Sequence, residues 1–307
     1  MDLGSINPAL LIASIMISAT PILLAAIGEM VVEKSGVLNL GVEGMMITGA
    51  VVGFAVGVTF TSPAFGFVAA AGAGAALSLV FAILTQFLLS NQVATGLGLW
   101  LVGMGLSSLI GKPYEGIKSP TLAKFEIPFL SDIPIIGKML FSHDPMVYIS
   151  LLLVLAVWAF LKYTRAGLVL RAVGESHGSA HALGYKVVPI RIAAILFGGA
   201  CAGMGGAYLS LVRVPQWTEG MTAGTGWIAL AIVVFASWRA GRVAIGAYLF
   251  GGITVLQLNL QAAGANVPVA LLSASPYLMT IIVLVIISAR GQHGAPASLG
   301  KPFHAAS

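Results

Sequence analysis

Nine apolar runs follow one another along the chain, at approximately 9 to 28, 41 to 59, 64 to 89, 93 to 111, 146 to 162, 191 to 212, 222 to 238, 243 to 262 and 268 to 288. A helix of about 20 apolar residues spans a hydrocarbon core of about 30 Å, so a series of this kind leaves one fold class open. The chain reads as an all-α, polytopic transmembrane helical bundle of about 8–10 spans, forming a single membrane domain over residues 1–307. Charge supports the reading: 8% of the residues are charged and 58% are hydrophobic, against about 25% charged in a soluble protein. The run at 222 to 238 is the weakest, because Thr222, Gly224 and Thr225 dilute its start, and a re-entrant segment fits it as well.

Lys and Arg set the expected orientation. Lys162, Arg165, Arg171, Lys186 and Arg191 lie in one connection, Arg239 and Arg242 precede the eighth run, and Arg290 and Lys301 lie in the tail. Such clusters stay on the cytoplasmic side. The N-terminus is then outside and the C-terminus inside, with 112–145 an extracytoplasmic loop, 163–190 a cytoplasmic loop and 289–307 a cytoplasmic tail. Lys112, Lys118, Lys124 and Lys138 make the outer loop discordant. Its prolines at 113, 120, 128, 134 and 145 predict an ordered, extended or short-helical cap. No cleavable signal is expected, since the start lacks a basic flank and an Ala-x-Ala site. Cys201 is the single cysteine, which excludes an intrachain disulfide. The net charge of +5 is accounted for by anionic membrane lipid, and no nucleic acid is implied.

Polar residues inside such a chain are the candidates for function. Gly36-Val-Leu-Asn-Leu-Gly-Val-Glu-Gly-Met-Met46 places Asn39 and Glu43 at the mouth of the second run. A glycine-broken stretch there cannot continue as regular helix at low cost, and its backbone groups need protein or a water-filled cavity. Glu43 either caps and gates or lines a solute path. Thr254, Gln257 and Gln261 share one face of the eighth run, with Asn259 off it, a stripe suited to interhelical hydrogen bonds or to an uncharged hydroxyl-rich or heterocyclic solute. Gly49, Gly53 and Gly57, and Gly199 with Gly203, predict close helix packing within the bundle.

The stretch from Arg165 to Gly184 alternates small, apolar and charged residues as a short interfacial helix does, and a protein partner suits it. His177 and His181 are four apart, but no His-Glu-x-x-His pattern or further ligand set joins them, so no metal site is expected. No phosphate-binding Gly-x-x-x-x-Gly-Lys-Ser/Thr loop occurs; Gly105 to Pro113 comes nearest, with the wrong spacing. A nucleophile with a partnered base is also missing. The chain is therefore expected to be no enzyme and to hold no cofactor of its own.

Three segments carry a resemblance. Gly36 to Met46, Leu170-Arg-Ala-Val-Gly-Glu175 followed by Ala180 and Gly184, and Gly226-Trp-Ile-Ala-Leu-Ala231 are similar to the permease subunits of bacterial ABC importers for nucleosides and simple sugars. More distantly, the chain resembles permeases for branched-chain amino acids and ribose. The resemblance implies a multi-pass protein of the bacterial inner membrane that moves a nucleoside or simple sugar by alternating access. It implies ABC ATP-binding subunits that bind the ATP, a second permease that is a related but different chain, and an extracytoplasmic or lipoprotein solute-binding protein. Asn39, Glu43, Thr254, Gln257, Asn259 and Gln261 would then be the substrate pathway, and Arg171, Ala172, Gly174, Glu175, Ala180 and Gly184 the ATPase coupling element. A branched-chain amino acid permease and a secondary transporter working alone are the alternatives. One departure stands out: where relatives tend to have proline after the Gly-Trp-Ile-Ala helix, this chain has Arg239-Ala240-Gly241.

Overall fold

The computed structural model describes residues 8–126, 136–262 and 294–304, together with scattered positions between 268 and 285. Its long helices are α1 (Pro8–Lys34), α2 (Val42–Thr59), α3 (Pro63–Ala82, closed by a π-helical turn to Phe87) and α4 (Gln92–Gly111). The connection after α4 holds, among its described residues, a single 3₁₀ turn, the paired strands β1 (Phe125–Glu126) and β2 (Ser142–His143), and α5 (Ile136–Leu140) between them. Then follow α6 (Pro145–Tyr163), α7 (Arg165–Glu175), α8 (His177–Ala182), α9 (Val187–Tyr208, extended by a π turn to Arg213), α10 (Thr225–Phe235) and α11 (Ala240–Ala262).

Seven of these helical stretches are long and apolar enough to cross a bilayer, so the chain is a multi-pass helical bundle. The expected span at 222 to 238 is instead the 11-residue α10. At 1.5 Å per residue that is about 17 Å, half a bilayer core. Thr222 and Gly224 stay outside the helix, as the diluted start of that run suggested. The expected ninth span, 268 to 288, lies mostly outside the described residues.

Helix α9 is the axle, packing on α1, α2 and α3, while α11 packs chiefly on α1 and α4 on α2. Glycine permits the closest approaches. Gly203 of α9 faces Ala70 and Gly74 of α3 with no room for a methyl group, and Gly49 of α2 meets Gly203 directly. The small-residue faces thus serve packing inside the bundle.

Two boundaries differ from the hydropathy reading. The first run was expected to stop at 28, before Glu29; α1 continues to Lys34 and buries both Glu29 and Glu33, each 1% exposed. Arg191, counted as a loop cation, is fully buried in α9. Glu33 and Arg191 find partners remote in sequence, which removes the reason for the helix to end there, while Glu29 is bonded through one oxygen only.

Residues 35 to 41 explain how a polar site comes to lie inside the bundle. After α1 ends, the chain doubles back along it: the Asn39 N–H donates to Glu29 Oε1 at 3.3 Å, and the Leu38 N–H to Gln92 Oε1 at 2.8 Å. Glu29 lies about 7 Å along the helix from Lys34. Helix α2 therefore starts within the bundle rather than at its end, and Glu43 starts with it.

Candidate functional site

Between Val214 and Gly224 the chain is not helical, although it runs beside membrane helices. Trp217 Nε1 donates to Ser107 Oγ at 3.3 Å, and Ser108 Oγ to Glu219 Oε1 at 2.6 Å, which pins the segment along α4. Gly224, at φ +82°, then turns the chain into α10. A helix that begins in mid-bundle exposes unpaired N–H groups and the positive end of its dipole.

Glu43 meets them. Its Oε1 accepts from Thr222 Oγ1 at 2.6 Å and from the Gly224 N–H at 2.9 Å, and its Oε2 accepts from the Gly226 N–H at 2.5 Å. The side chain is 3% exposed. The carboxylate therefore caps α10 and not its own helix, α2, whose N-terminus has no side-chain cap. Charge-assisted bonds are the stronger kind, and three of them, two from backbone N–H groups and one from the Thr222 hydroxyl, fix α2 to the start of α10. Gly226 is required for the fit, because a Cβ there would sit 2.6 Å from Glu43 Cα. Around the cap lie a Trp100–Trp227 pair, edge to face with centroids 5.9 Å apart, and Tyr277, whose hydroxyl donates to Ala223 O at 2.9 Å.

Asn39 is fully buried and turned to local work. Its Oδ1 accepts from the Gly41 N–H at 3.0 Å and its Nδ2 lies 3.4 Å from Met45 Sδ. It shapes the turn into α2 while Glu43 reaches across. On α11, Thr254 Oγ1 and Asn259 Nδ2 bond back to their own helix, at Phe250 O and Val255 O. Gln257 and Gln261 are half-buried. Helix α11 packs chiefly on α1, with a smaller contact on α10.

The other end of α10 carries residues that hydropathy hid. Ser237 and Trp238, both at positive φ, turn the chain toward α11, and Trp238 Nε1 donates to Glu33 Oε2 at 2.5 Å. One turn below, Glu29 Oε2 is buried without a hydrogen-bond partner. Two carboxylates four residues apart inside an apolar helix are a sequence signal for a functional position, and it was available.

At the basic end, Arg171, Ala172 and Glu175 face outward, whereas Gly174 is pressed against Lys34 O and Gly36, and Ala180 is buried. Gly184, at φ +87°, follows α8. The tail latches onto this pair of helices: the Ser298 N–H bonds Gly174 O, the Gly300 N–H bonds Gly36 O, and Phe303 packs edge-on against His177 and His181. Arg191 is the hub, donating to Ser35 O, Lys301 O and His177 Nδ1. Burial holds the His177 imidazole below its ordinary value, and the charges of Arg191 and Lys301 add to the effect. Among the described residues no group of three His, Cys, Asp or Glu side chains could hold a metal.

The sequence profile of a family described as the permease component of branched-chain amino acid transport systems matches residues 11–288. A putative glucose ABC transporter permease of Haloferax volcanii is 41% identical, over 87% of this chain and 88% of its own length. A guanosine ABC transporter permease of Bacillus subtilis is 30% identical over 96% of each chain. A nucleoside ABC transporter permease of Lactococcus lactis is 29% identical over 90% of this chain and 92% of its own. No solved structure matches.

Proposed function

Since this chain belongs to the permease-component family of branched-chain amino acid and related ABC transport systems, and is a multi-pass membrane permease rather than an enzyme, we propose that it carries an uncharged nucleoside past the Glu43 cap of α10. ATP is bound and hydrolysed on separate subunits. In this reading the end of the bundle that bears Arg171 and Arg191 is cytoplasmic, and the ATP-binding subunits engage α7 and α8 through Arg171, Ala172 and Glu175. A second, related permease completes the path, and an extracytoplasmic solute-binding protein delivers to the opposite end.

The observation that carries the reading is the half-length helix whose N-terminus is already occupied by a carboxylate. Broken helices mark solute sites in transporters, and their free N-termini commonly receive an anionic group of the solute. Here Glu43 has taken the donors of Gly224 and Gly226. A solute carboxylate or phosphate would meet a negative charge instead, which disfavours amino acids and leaves neutral solutes. Trp100 and Trp227 offer faces on which a nucleobase can stack. Movement of α7 by the ATPases reaches the site through α1, which touches α7, α10 and α2.

A simple sugar is the second reading, favoured by the 41% identical glucose permease. Uptake of labelled guanosine and labelled glucose by cells expressing the whole importer separates the two. The account expects saturable, ATP-dependent guanosine uptake that excess glucose does not compete away. Glucose uptake without guanosine uptake would assign the sugar, and transport by the isolated chain in liposomes without nucleotide would end the permease-subunit reading.

A further inference from the structure

A concavity of about 630 Å³ opens at the basic end, lined by Lys34, Lys162, Arg171, Arg239 and Arg242, with Trp158 and Trp238 as apolar walls. The five cations come from the last turns of α1 and α6, from α7, and from the turn and first residues of α11. Helix dipoles account for two of them, because Lys34 and Lys162 lie at C-terminal ends. They do not account for the rest. Arg171 is in the middle of α7, and Arg239 lies in the turn that precedes α11. Lys34 has Arg171 and Arg239 as like-charged neighbours and Glu175 as its acidic one. Among the residues lining the concavity Lys34, Lys162, Arg171 and Arg239 are cations and none is a carboxylate, so the arrangement is suited to an external anion.

The level of the opening says which one. Lys162 Nζ lies 4.9 Å from the Trp158 ring centre and 5.0 Å from that of Tyr163, and such Trp, Tyr and Lys groupings sit where hydrocarbon gives way to headgroups. We propose that this concavity binds the phosphate headgroup of an anionic membrane phospholipid, with the Trp158 wall against its apolar part. Arg239 belongs to the turn between α10 and α11. The bound lipid bridges α7, which carries Arg171, to the Trp238 end of α10, and so stiffens the link between the coupling helices and the site. The binding half stands on these side chains alone; the coupling half rests on the permease reading.

The test uses the complete importer, purified with its ATP-binding subunits and placed in nanodiscs of phosphatidylcholine with a minority of phosphatidylglycerol. Lipid retained on the complex is counted by native mass spectrometry. Wild type should retain phosphatidylglycerol preferentially, and Lys162→Gln and Arg239→Gln should each lower that retention about fivefold, with the melting midpoint unchanged. Lys124→Gln, exposed in the outer connection, should leave it unchanged. Equal retention of the two lipids by wild type, or full retention by the Lys162→Gln/Arg239→Gln double variant, overturns the proposal. Displacement of the lipid by soluble glycerophosphate at equal concentration would assign a soluble phosphate instead, and disulfide capture of Arg239→Cys by an ATP-binding subunit would assign a protein. Lipid preference without any change in solute-stimulated ATP hydrolysis between the two nanodisc compositions sinks the coupling half only. Absence of uptake by wild type in the whole-cell assay would instead strike the permease reading.

Discussion

The two ends of α10 are each held by a buried glutamate, and they are held differently. Glu43 at the N-terminus has three donors, two of them backbone N–H groups. Glu33 at the C-terminal end has the indole of Trp238, and its neighbour Glu29 leaves one oxygen unpartnered. The contrast assigns rigidity to one end and adjustability to the other. An anion locked onto a helix dipole fixes where α10 begins, whereas a single side-chain bond at a turn of two positive-φ residues can be remade at lower cost.

Glu43→Ala should break this picture most severely. It strands buried donors at the start of α10, for a loss of about 3 kcal/mol, and uptake should fall below detection while Glu43→Gln, which keeps one accepting oxygen, retains part of it. Melting of the detergent-purified complex read beside uptake checks both. Gly226→Ala comes next, since its methyl group must push α2 from α10, at about 1–3 kcal/mol. Trp238→Phe removes one donor and should cost about 1 kcal/mol, with uptake slowed rather than abolished. If Trp238→Phe equals Glu43→Ala, the asymmetry between the ends is wrong. Glu29→Gln should leave stability within about 1 kcal/mol of wild type or raise it, because the amide replaces an oxygen that has no partner.

The smallest effect concerns pH. The His177 imidazole is held below its ordinary value of 6.5, so the folded state binds its proton less readily than the unfolded chain. The tail latch is then fully favoured above pH 6.5 and weakens as the pH falls below it. Protonation also removes the Nδ1 acceptor that Arg191 uses and places a cation beside Arg191 and Lys301, with His181 sharing the same Phe303 ring. Hydrogen exchange of residues 294–304 should rise between pH 7 and pH 5.5 in wild type and stay flat in His177→Gln.

Much of the bundle was readable because hydropathy depends only on neighbours in sequence. The half-length of α10 was half-readable, through Thr222, Gly224 and Thr225. The cap was not, since two of Glu43's partners are backbone N–H groups 181 and 183 residues away, which no side chain announces. Glu43 and Asn39 were noticed for their polarity, while their division of labour, one reaching across and one turning the chain, depends on the fold-back of residues 35 to 41. The burial of Glu29, Glu33 and Arg191 was missed because a local reading treats charge as the end of a span, which put the end of the first run at 28 and Arg191 in a loop. What keeps them inside is an indole 205 residues from Glu33 and carbonyls 156 and 110 residues from Arg191.

The central claim, that solute passes the capped start of α10, is tested most directly by thiol labelling at Trp227→Cys in a Cys201→Ala chain within the complete importer. The account predicts modification by a water-soluble maleimide that depends on the nucleotide state and is blocked by transported solute. Labelling that is absent in every nucleotide state, or that proceeds equally with and without solute, would contradict it.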